Sequence, residues 1–257
     1  MQITYNTILA TLAFRKLNQN LMKKLIVFAF SLLIYSNSYC QKTELRVSLD
    51  SGLSSFSGES AESSSSINFN NNSGSGYTNN PYGSKNVLSY GVSVNLKRVT
   101  KANFVYGIGL GYENIGSKTS INSISLYNEV NSYNVPASGK TIMSINTINT
   151  NPFIGYRFNA SKLPIDLVAG FDFASILNTK ECGDATDEDG NNYTTSIDRK
   201  TINTDFRPRI QVSTDYKKFG VYLGYSFGLL NYKDGYVGGT NDAYSKIFRF
   251  GITYQVF

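Results

Sequence analysis

The last ten residues of the chain, 248–257, alternate between apolar and polar side chains. The apolar positions are Phe248, Phe250, Ile252, Tyr254 and Val256, and the positions between them are Arg249, Gly251, Thr253 and Gln255. Successive side chains of an extended strand point to opposite faces. The pattern therefore predicts a strand with one apolar and one polar face. Phe257 departs from it, because it falls in phase with the polar positions.

The same alternation recurs in seven earlier segments of about ten residues. They are 43–50, 87–97, 104–113, 148–158, 165–173, 205–216 and 219–229, and residues 142–148 could lengthen the fourth. About ten residues is the length of a tilted transmembrane strand, whereas a spanning helix needs about 20 apolar residues. We therefore predict an all-β fold, an eight-stranded antiparallel up-and-down transmembrane β-barrel with its apolar face toward lipid.

The connections between these segments alternate between long and short. Long connections are predicted at 51–84, 114–140 and 178–203, short turns at 98–103, 159–164 and 217–218, and a shorter loop contains Asp234-Gly235 and Gly238-Gly239. The Ser-, Asn- and Gly-rich tract 51–84 is predicted to be a mobile loop. In an outer-membrane barrel the long connections are extracellular and the short turns periplasmic, so both ends of the domain are expected in the periplasm.

Residues 1–40 are predicted to lie outside the fold. Lys23 and Lys24, an apolar run at 25–35 and small residues before Gln41 are typical of a signal peptide, here 22–40. Residues 1–21 then form an upstream extension, Met22 is the expected start, and 41–257 is the barrel domain. An exported barrel of this kind is expected in the outer membrane.

The charge of that domain is nearly balanced. The leader contains four of the 24 Lys and Arg residues and none of the 18 acidic ones, so 20 basic residues remain against 18 acidic. This balance argues against a nucleic-acid surface. Cys182 is the only cysteine of the domain and cannot form an internal disulfide. The alternative role for Cys40 is lipid attachment.

The polar face of the strands contains six acids and six bases. They are Glu44, Glu113, Asp166, Asp172, Asp205, Asp215, Arg46, Lys97, Arg157, Arg207, Arg209 and Arg249. An eight-stranded barrel is only wide enough for side chains to fill it, and buried charges need partners. We predict a plugged interior and no open pore. Pro152 and Pro208 cannot donate to a strand ladder, so we expect bulges or rim positions there.

Three motifs suggest chemistry and are better explained otherwise. Residues 224–228 read Gly-Tyr-Ser-Phe-Gly, the pattern of a nucleophile elbow, but the chain has no histidine to act as a base. Gly107, Gly109 and Gly111 lie inside a strand and precede no helix, so they do not fit a dinucleotide loop. The acidic run 184–190 fails the EF-hand spacing, which leaves a loose cation site as an alternative to a solvated loop. No catalytic, cofactor-binding or metal-binding residue is assigned, and no cofactor is expected.

The chain resembles the small outer-membrane β-barrel family, OmpX-like and including the PorT-like group of Bacteroidota. The resemblance covers 41–257 and rests on Ser38-Tyr39-Cys40 before Gln41, on the segment 151–158 before a short turn, and on the closing strand. It implies an integral outer-membrane protein. Some members of the family assist secretion, and others bind through their loops.

Three functions stay open. The first is a non-enzymatic monomeric barrel that contacts outer-membrane lipids and binds an unknown partner through its extracellular loops, in adhesion or envelope integrity. The second is a PorT-like accessory of a secretion apparatus with a periplasmic partner. The third is a soluble lipocalin-like binder whose apolar face points inward, because alternation alone does not say which face is inside.

Overall fold

The computed structural model describes residues 42–127, 132–160, 163–236 and 241–257. The predicted leader and extension, the Gly238-Gly239 pair and part of the 159–164 turn lie outside the described residues. Within the described ranges no helix is long and apolar enough to cross a membrane. The described chain folds into eleven strands: β1 (Lys42–Ser57), β2 (Ser64–Asn70), β3 (Ser75–Thr78), β4 (Val87–Val99), β5 (Phe104–Tyr127), β6 (Ser132–Ala160), β7 (Leu163–Asp187), β8 (Asn192–Asp198), β9 (Thr204–Tyr216), β10 (Phe219–Phe227) and β11 (Tyr244–Gln255).

Eight of these strands form a closed antiparallel ring. Its order is β1, β4, β5, β6, β7, β9, β10 and β11, and each strand pairs with the next. The ring closes because β1 also pairs with β11, so that Leu49 lies opposite Val92 on one side and Ile252 on the other. The predicted eight-stranded up-and-down barrel is confirmed.

The two ends of the ring differ. At the turn end, strands are joined by tight turns, two of which place Asn103 and Lys217 in the left-handed region at φ 65° and 56°. The opposite end, the loop end, bears the three remaining strands. β2 runs parallel to β5, β3 pairs with β2 and lies beside β8, and β8 pairs with β7. The short and long connections therefore segregate as predicted.

The strands at the loop end are much longer than predicted. β5, β6 and β7 contain 24, 29 and 25 residues. The loops predicted at 114–140 and 178–203 are wrong, because most of each is strand, and the possible extension at 142–148 is confirmed. The mobile loop predicted at 51–84 is also wrong, since it contains the end of β1 and all of β2 and β3. We call β2, β3 and β8, together with 116–127, 132–145 and 178–187, the tower.

The alternation continues into the tower with its sense reversed. In β6, Ile148 points outward and is 45% exposed, whereas Met143 and Ile145 point inward and are fully buried. Asn146 and Ser144 take the outward positions between them. The apolar face is thus on the outside of the barrel and on the inside of the tower. The change lies at the level where the surroundings of the protein change from apolar to aqueous.

Pro152 and Pro208 are neither at bulges nor at the rim. Pro208 lies opposite Phe171 within an uninterrupted β7–β9 register, and Pro152 pairs with Ile108 on its β5 side. On its β7 side the ladder omits two pairs and resumes in the same register. There the Asn151 side-chain amide donates to the Phe171 carbonyl at 3.1 Å. This bond compensates for the N–H that Pro152 lacks, so the predicted bulge is unnecessary.

The predicted strand ends are otherwise close. β10 ends at Phe227, two residues before the predicted end, and β11 begins four residues earlier than predicted. Phe257 lies beyond β11 and is 61% exposed. Its carbonyl still accepts a hydrogen bond from the Leu45 N–H at 3.2 Å.

Candidate functional site

The outside of the ring carries a continuous apolar belt. Leu49, Leu88 and Ile154 are 60%, 65% and 63% exposed, and each of the eight strands contributes residues of this kind. On β5 the belt runs from Phe104 to Tyr112, about 27 Å along the strand and about 20 Å along the axis at a usual tilt. An apolar band of about this height is the surface of a transmembrane barrel of the outer-membrane type. The lipocalin-like alternative, with its apolar face inward, is wrong.

Aromatic pairs mark both edges of the belt. At the turn end, the Tyr156 ring lies 5.8 Å from that of Phe104 and 5.0 Å from that of Phe158. At the loop end, the Phe206 ring lies 5.0 Å from those of both Phe171 and Phe173. Aromatic rings are enriched at both interfaces of membrane barrels. The two edges therefore fix where the membrane surfaces meet the protein.

The predicted inward charges separate into two groups of three acids and three bases. The turn-end cluster consists of Glu44, Asp166, Asp215, Arg46, Lys97 and Arg157. Glu44 and Asp166 are each 1% exposed. Lys97 Nζ lies 2.6 Å from Asp166 Oδ2 and 3.3 Å from Glu44 Oε2. Such mutual pairing is what permits six charges to be buried together.

The loop-end cluster consists of Glu113, Asp172, Asp205, Arg207, Arg209 and Arg249. Arg249 donates from Nε and Nη2 to the two Glu113 oxygens at 2.6 and 3.0 Å. Arg207 is fully buried, with carboxylate oxygens of Glu113 and Asp205 at 3.4 and 3.8 Å. Within the described ranges no ion pair joins this cluster to the turn-end cluster. Each cluster therefore balances its own charge.

Small polar cavities lie between the clusters. One has a volume of about 50 Å³ and is lined by residues that include Ser93, Asn95 and Gln211, and a second of about 10 Å³ lies beside Glu113 and Arg249. The larger cavity can hold a few water molecules. Side chains therefore occupy most of the described interior at this level of the barrel.

An aromatic plug closes the mouth of the barrel at the loop end. The Phe56 ring lies 5.0 Å from that of Tyr82 and 4.9 Å from that of Tyr232. Tyr232 donates its hydroxyl to Asp205 Oδ2 at 2.8 Å, which joins the plug to the charges below it. Burial raises the pKa of Tyr82 to about 12 and that of Tyr232 well above its usual range. Both hydroxyls are therefore neutral at ordinary pH.

A buried carboxylate holds the tower together above this plug. Glu181, fully buried in β7, accepts hydrogen bonds from the Thr78 N–H at 2.6 Å and the Thr195 hydroxyl at 3.1 Å, and it pairs with Arg199. Thr78 ends β3 and Thr195 lies in β8. Beyond Glu181 the tower interior is apolar, with Ile67, Ile121, Ile124 and Leu126 in contact. Glu181 therefore joins the two strands that no ladder pairing connects.

The outer wall of the tower is mostly polar, although Tyr133 and Ile142 are exposed, and a row of asparagines lies at its base. Asn114 donates its amide to Asn146 Oδ1 at 2.6 Å, and Asn146 donates to Asn178 Oδ1 at 2.6 Å. Tyr112, at the edge of the belt, also donates to Asn146 at 2.8 Å. The three asparagines lie 32 residues apart in sequence, a spacing that sequence reasoning could have used and missed.

The motifs weighed in the sequence form no site in the structure. Ser226 is buried inside β10 and binds Arg249. A Cβ at Gly109 would lie 2.4 Å from Asn95 Oδ1, so packing explains that glycine. In the acidic run, Asp187 accepts from the Asn191 N–H at 2.8 Å, and the Asn191 hydrogen bonds lower the pKa of that carboxyl. Among the described residues no group of three potential ligands is placed for a metal ion.

Two of the features at the loop end have no counterpart among the sequence predictions. The aromatic plug joins residues from β1 and two loops, and Glu181 joins β3 to β8. Neither set shows a spacing in the sequence that would indicate contact. Cys182 is free and exposed on the outer wall of the tower.

Comparisons with known proteins add little beyond these observations. No protein-family model and no curated protein sequence matches the chain. Among solved structures, Neisserial surface protein A aligns at 11% identity and a TM-score of 0.41, over 83% of this chain and 99% of its own. The attachment invasion locus protein Ail of Yersinia pestis, in complex with the heparin analogue sucrose octasulfate, aligns at 10% identity and a TM-score of 0.35, over 83% and 99%. Likenesses this distant carry no argument about function.

Proposed function

We propose that the chain is a non-enzymatic integral outer-membrane β-barrel that acts by binding through its extracellular tower. The observation that carries this proposal is the reversal of polarity along β5, β6 and β7. Below the reversal an apolar belt suits lipid, and above it a packed core supports a rigid polar wall outside the membrane. We place the tower outside the cell and the turn end in the periplasm.

The interior supports binding over transport or catalysis. The barrel interior is occupied by two charge clusters and, at the loop end, by the aromatic plug. Small cavities lie between the clusters. A solute would have to separate buried ion pairs to pass, which costs several kcal/mol for each pair. The exposed tower wall is the surface that a partner can reach.

The test removes part of the tower and leaves the transmembrane barrel in place. Residues 116–144 would be replaced by a short turn that joins Ile115 to Ile145, which are opposite each other in the β5–β6 register. The shortened chain is expected in the outer-membrane fraction with the heat-dependent gel mobility of a folded barrel. It should no longer bind the extracellular partner that the full chain binds. Retained surface binding would contradict the proposal. Steady conductance of the full chain in planar bilayers would contradict the plugged interior.

A second candidate is the PorT-like accessory of a secretion apparatus, favoured by the chemistry of the turn end. Lys101, Lys217 and Lys218 are exposed there, and Tyr216 beside them is 67% exposed. A basic, aromatic surface fits an acidic periplasmic partner. A photocrosslinker at Lys101 should capture one periplasmic protein under this candidate. Capture from the tower alone would exclude it.

A further inference from the structure

Three lysines occupy neighbouring positions around one serine of the tower wall, and one of them contacts it. Lys85, in the segment after β3, donates from Nζ to Ser120 Oγ at 2.6 Å. Lys140 of β6 lies directly opposite Ser120, and Lys118 precedes Ser120 by two residues on the same outward face. Directly opposed and diagonal neighbours in a sheet have Cβ atoms within about 8 Å of each other. We call Lys85, Lys118, Lys140 and Ser120 the lysine patch.

Few carboxylates face this patch. Asp184 lies opposite Lys140 on its β7 side, and Glu62 lies in the segment hydrogen-bonded to residues 83–84. No ion pair within 4.0 Å joins either acid to the three lysines among the described residues. One ammonium group on the Ser120 hydroxyl, with two more lysines at neighbouring outward positions, forms a site that attracts a phosphate.

The height of the patch above the belt selects the kind of phosphate. Lys118 lies six residues beyond Tyr112, about 20 Å along the strand and about 15 Å along the barrel axis. The headgroup layer of a bilayer adds only about 5–8 Å beyond the hydrocarbon. The patch is therefore too high for the phosphate of an ordinary phospholipid and fits a taller, sugar-bearing headgroup.

The wall below the patch suits such a headgroup. From the membrane outward, the β5–β6–β7 wall presents the apolar belt, then the Asn114–Asn146–Asn178 row with Ser144 and the exposed Lys180 opposite it, and then the lysine patch beside Ile142. This order matches acyl chains, sugar hydroxyls and phosphates. We propose that this wall binds a phosphorylated glycolipid of the surrounding outer leaflet, with its sugar phosphate held by the lysine patch. The inference rests on the proposed placement of the tower outside the membrane.

The test is a titration of the full chain in zwitterionic micelles with fluorescent rough lipopolysaccharide whose core carries phosphate. Wild-type protein should bind it at least about tenfold more tightly than the same lipopolysaccharide after chemical dephosphorylation. The K85Q/K118Q/K140Q variant should lose that preference, and K85R/K118R/K140R should keep it. The matched control K42Q/K200Q/K246Q removes three lysines from other parts of the barrel and should also keep it.

Several outcomes would overturn the proposal. One is an unchanged preference in the K85Q/K118Q/K140Q variant, and another is an equal loss in the control. Equally tight binding of the lipid-free phosphorylated core would indicate a soluble anion as the ligand. Heat-dependent gel mobility checks that each variant is folded. Fractionation of cells tests the outer-membrane placement separately, so a failure there and a failure of the patch are distinguishable.

Discussion

Arg249 and Arg207 occupy the same buried cluster but differ in their contacts. Arg249 makes two hydrogen bonds to Glu113 and lies 3.1 Å from Asp172 Oδ2, whereas Arg207 lies 3.4 Å or more from its carboxylates. Removing one partner of a buried pair leaves an uncompensated charge. Stability at this level of the barrel should therefore depend mainly on Arg249.

We expect Arg249→Met to lower the free energy of unfolding by about 3–5 kcal/mol, because Glu113 and Asp172 lose a buried partner. The double variant R249M/E113L should lose less, since it also removes one orphaned carboxylate. Urea unfolding in phospholipid vesicles, followed by tyrosine fluorescence, measures both. Lys101→Met, at an exposed turn, is the control and should change little. A double variant no more stable than R249M would refute this explanation.

Tyr82 should make the stability of the aromatic plug depend on pH in the alkaline range. Burial raises its pKa from the usual 10.0 to about 12, so the folded protein keeps the hydroxyl protonated where the unfolded chain does not. Its contribution to stability is complete below pH 10 and is lost as the pH rises from about 10 to about 12. A titration of phenolate absorbance should show a late component that Tyr82→Phe reduces. Titration of every tyrosine near pH 10 would contradict it.

At the scale of strands, the alternation predicted all eight strands of the barrel but not their length. Segments such as 104–113 were found because apolar residues face lipid at every second position, a signal that holds only within the membrane. Beyond Glu113 the apolar positions move to the inner face, as at Ile115 and Ile121. Ser and Asn on the outer face then give the composition of a loop. The tower was therefore mistaken for loops because its exterior resembles theirs.

The candidate site was predictable only in its barrel part. The twelve inward charges follow from phase alone, because a residue's face is fixed by its position in the strand. Their division into two neutral clusters depends on the stagger of the strands, which the sequence does not specify. The lysine patch depends on a contact between Lys85 and Ser120, beside an isolated antiparallel bridge between Lys85 and Lys118. No local pattern predicts that contact.

The closure of the tower should depend on Glu181. We expect Glu181→Ala to loosen β3 from β8, because Thr78, Thr195 and Arg199 lose a shared buried acceptor. The residues of β2 and β3 should then exchange amide hydrogens at least about tenfold faster, while β10 and β11 are unchanged. Asp184→Ala, on the outer wall of the same strand, is the control. Equal protection of β3 in both variants would show that Glu181 does not hold it.

At the scale of the whole molecule, one strand passes through three environments. β5 begins at the turn end, crosses the apolar belt and continues into the tower. Side chains occupy most of the barrel interior, so the two ends of the barrel face opposite sides of the membrane with no open channel between them in the described part of the chain. The direction of the chain across the membrane therefore decides which surface meets the cell exterior.

That direction can be read with cysteine labelling in intact cells, using a maleimide on a polymer too large to cross the outer membrane. Native Cys182, exposed on the tower wall, should react, and Cys182→Ala should abolish the signal. In that background Lys101→Cys, at the turn end, should react only after the outer membrane is opened. Leu110→Cys, 59% exposed within the belt, should react only after the barrel is unfolded, because lipid covers it. Labelling of K101C but not of Cys182 in intact cells would show that the barrel has the opposite orientation in the membrane. Labelling of L110C in the folded barrel would show that the belt does not face lipid.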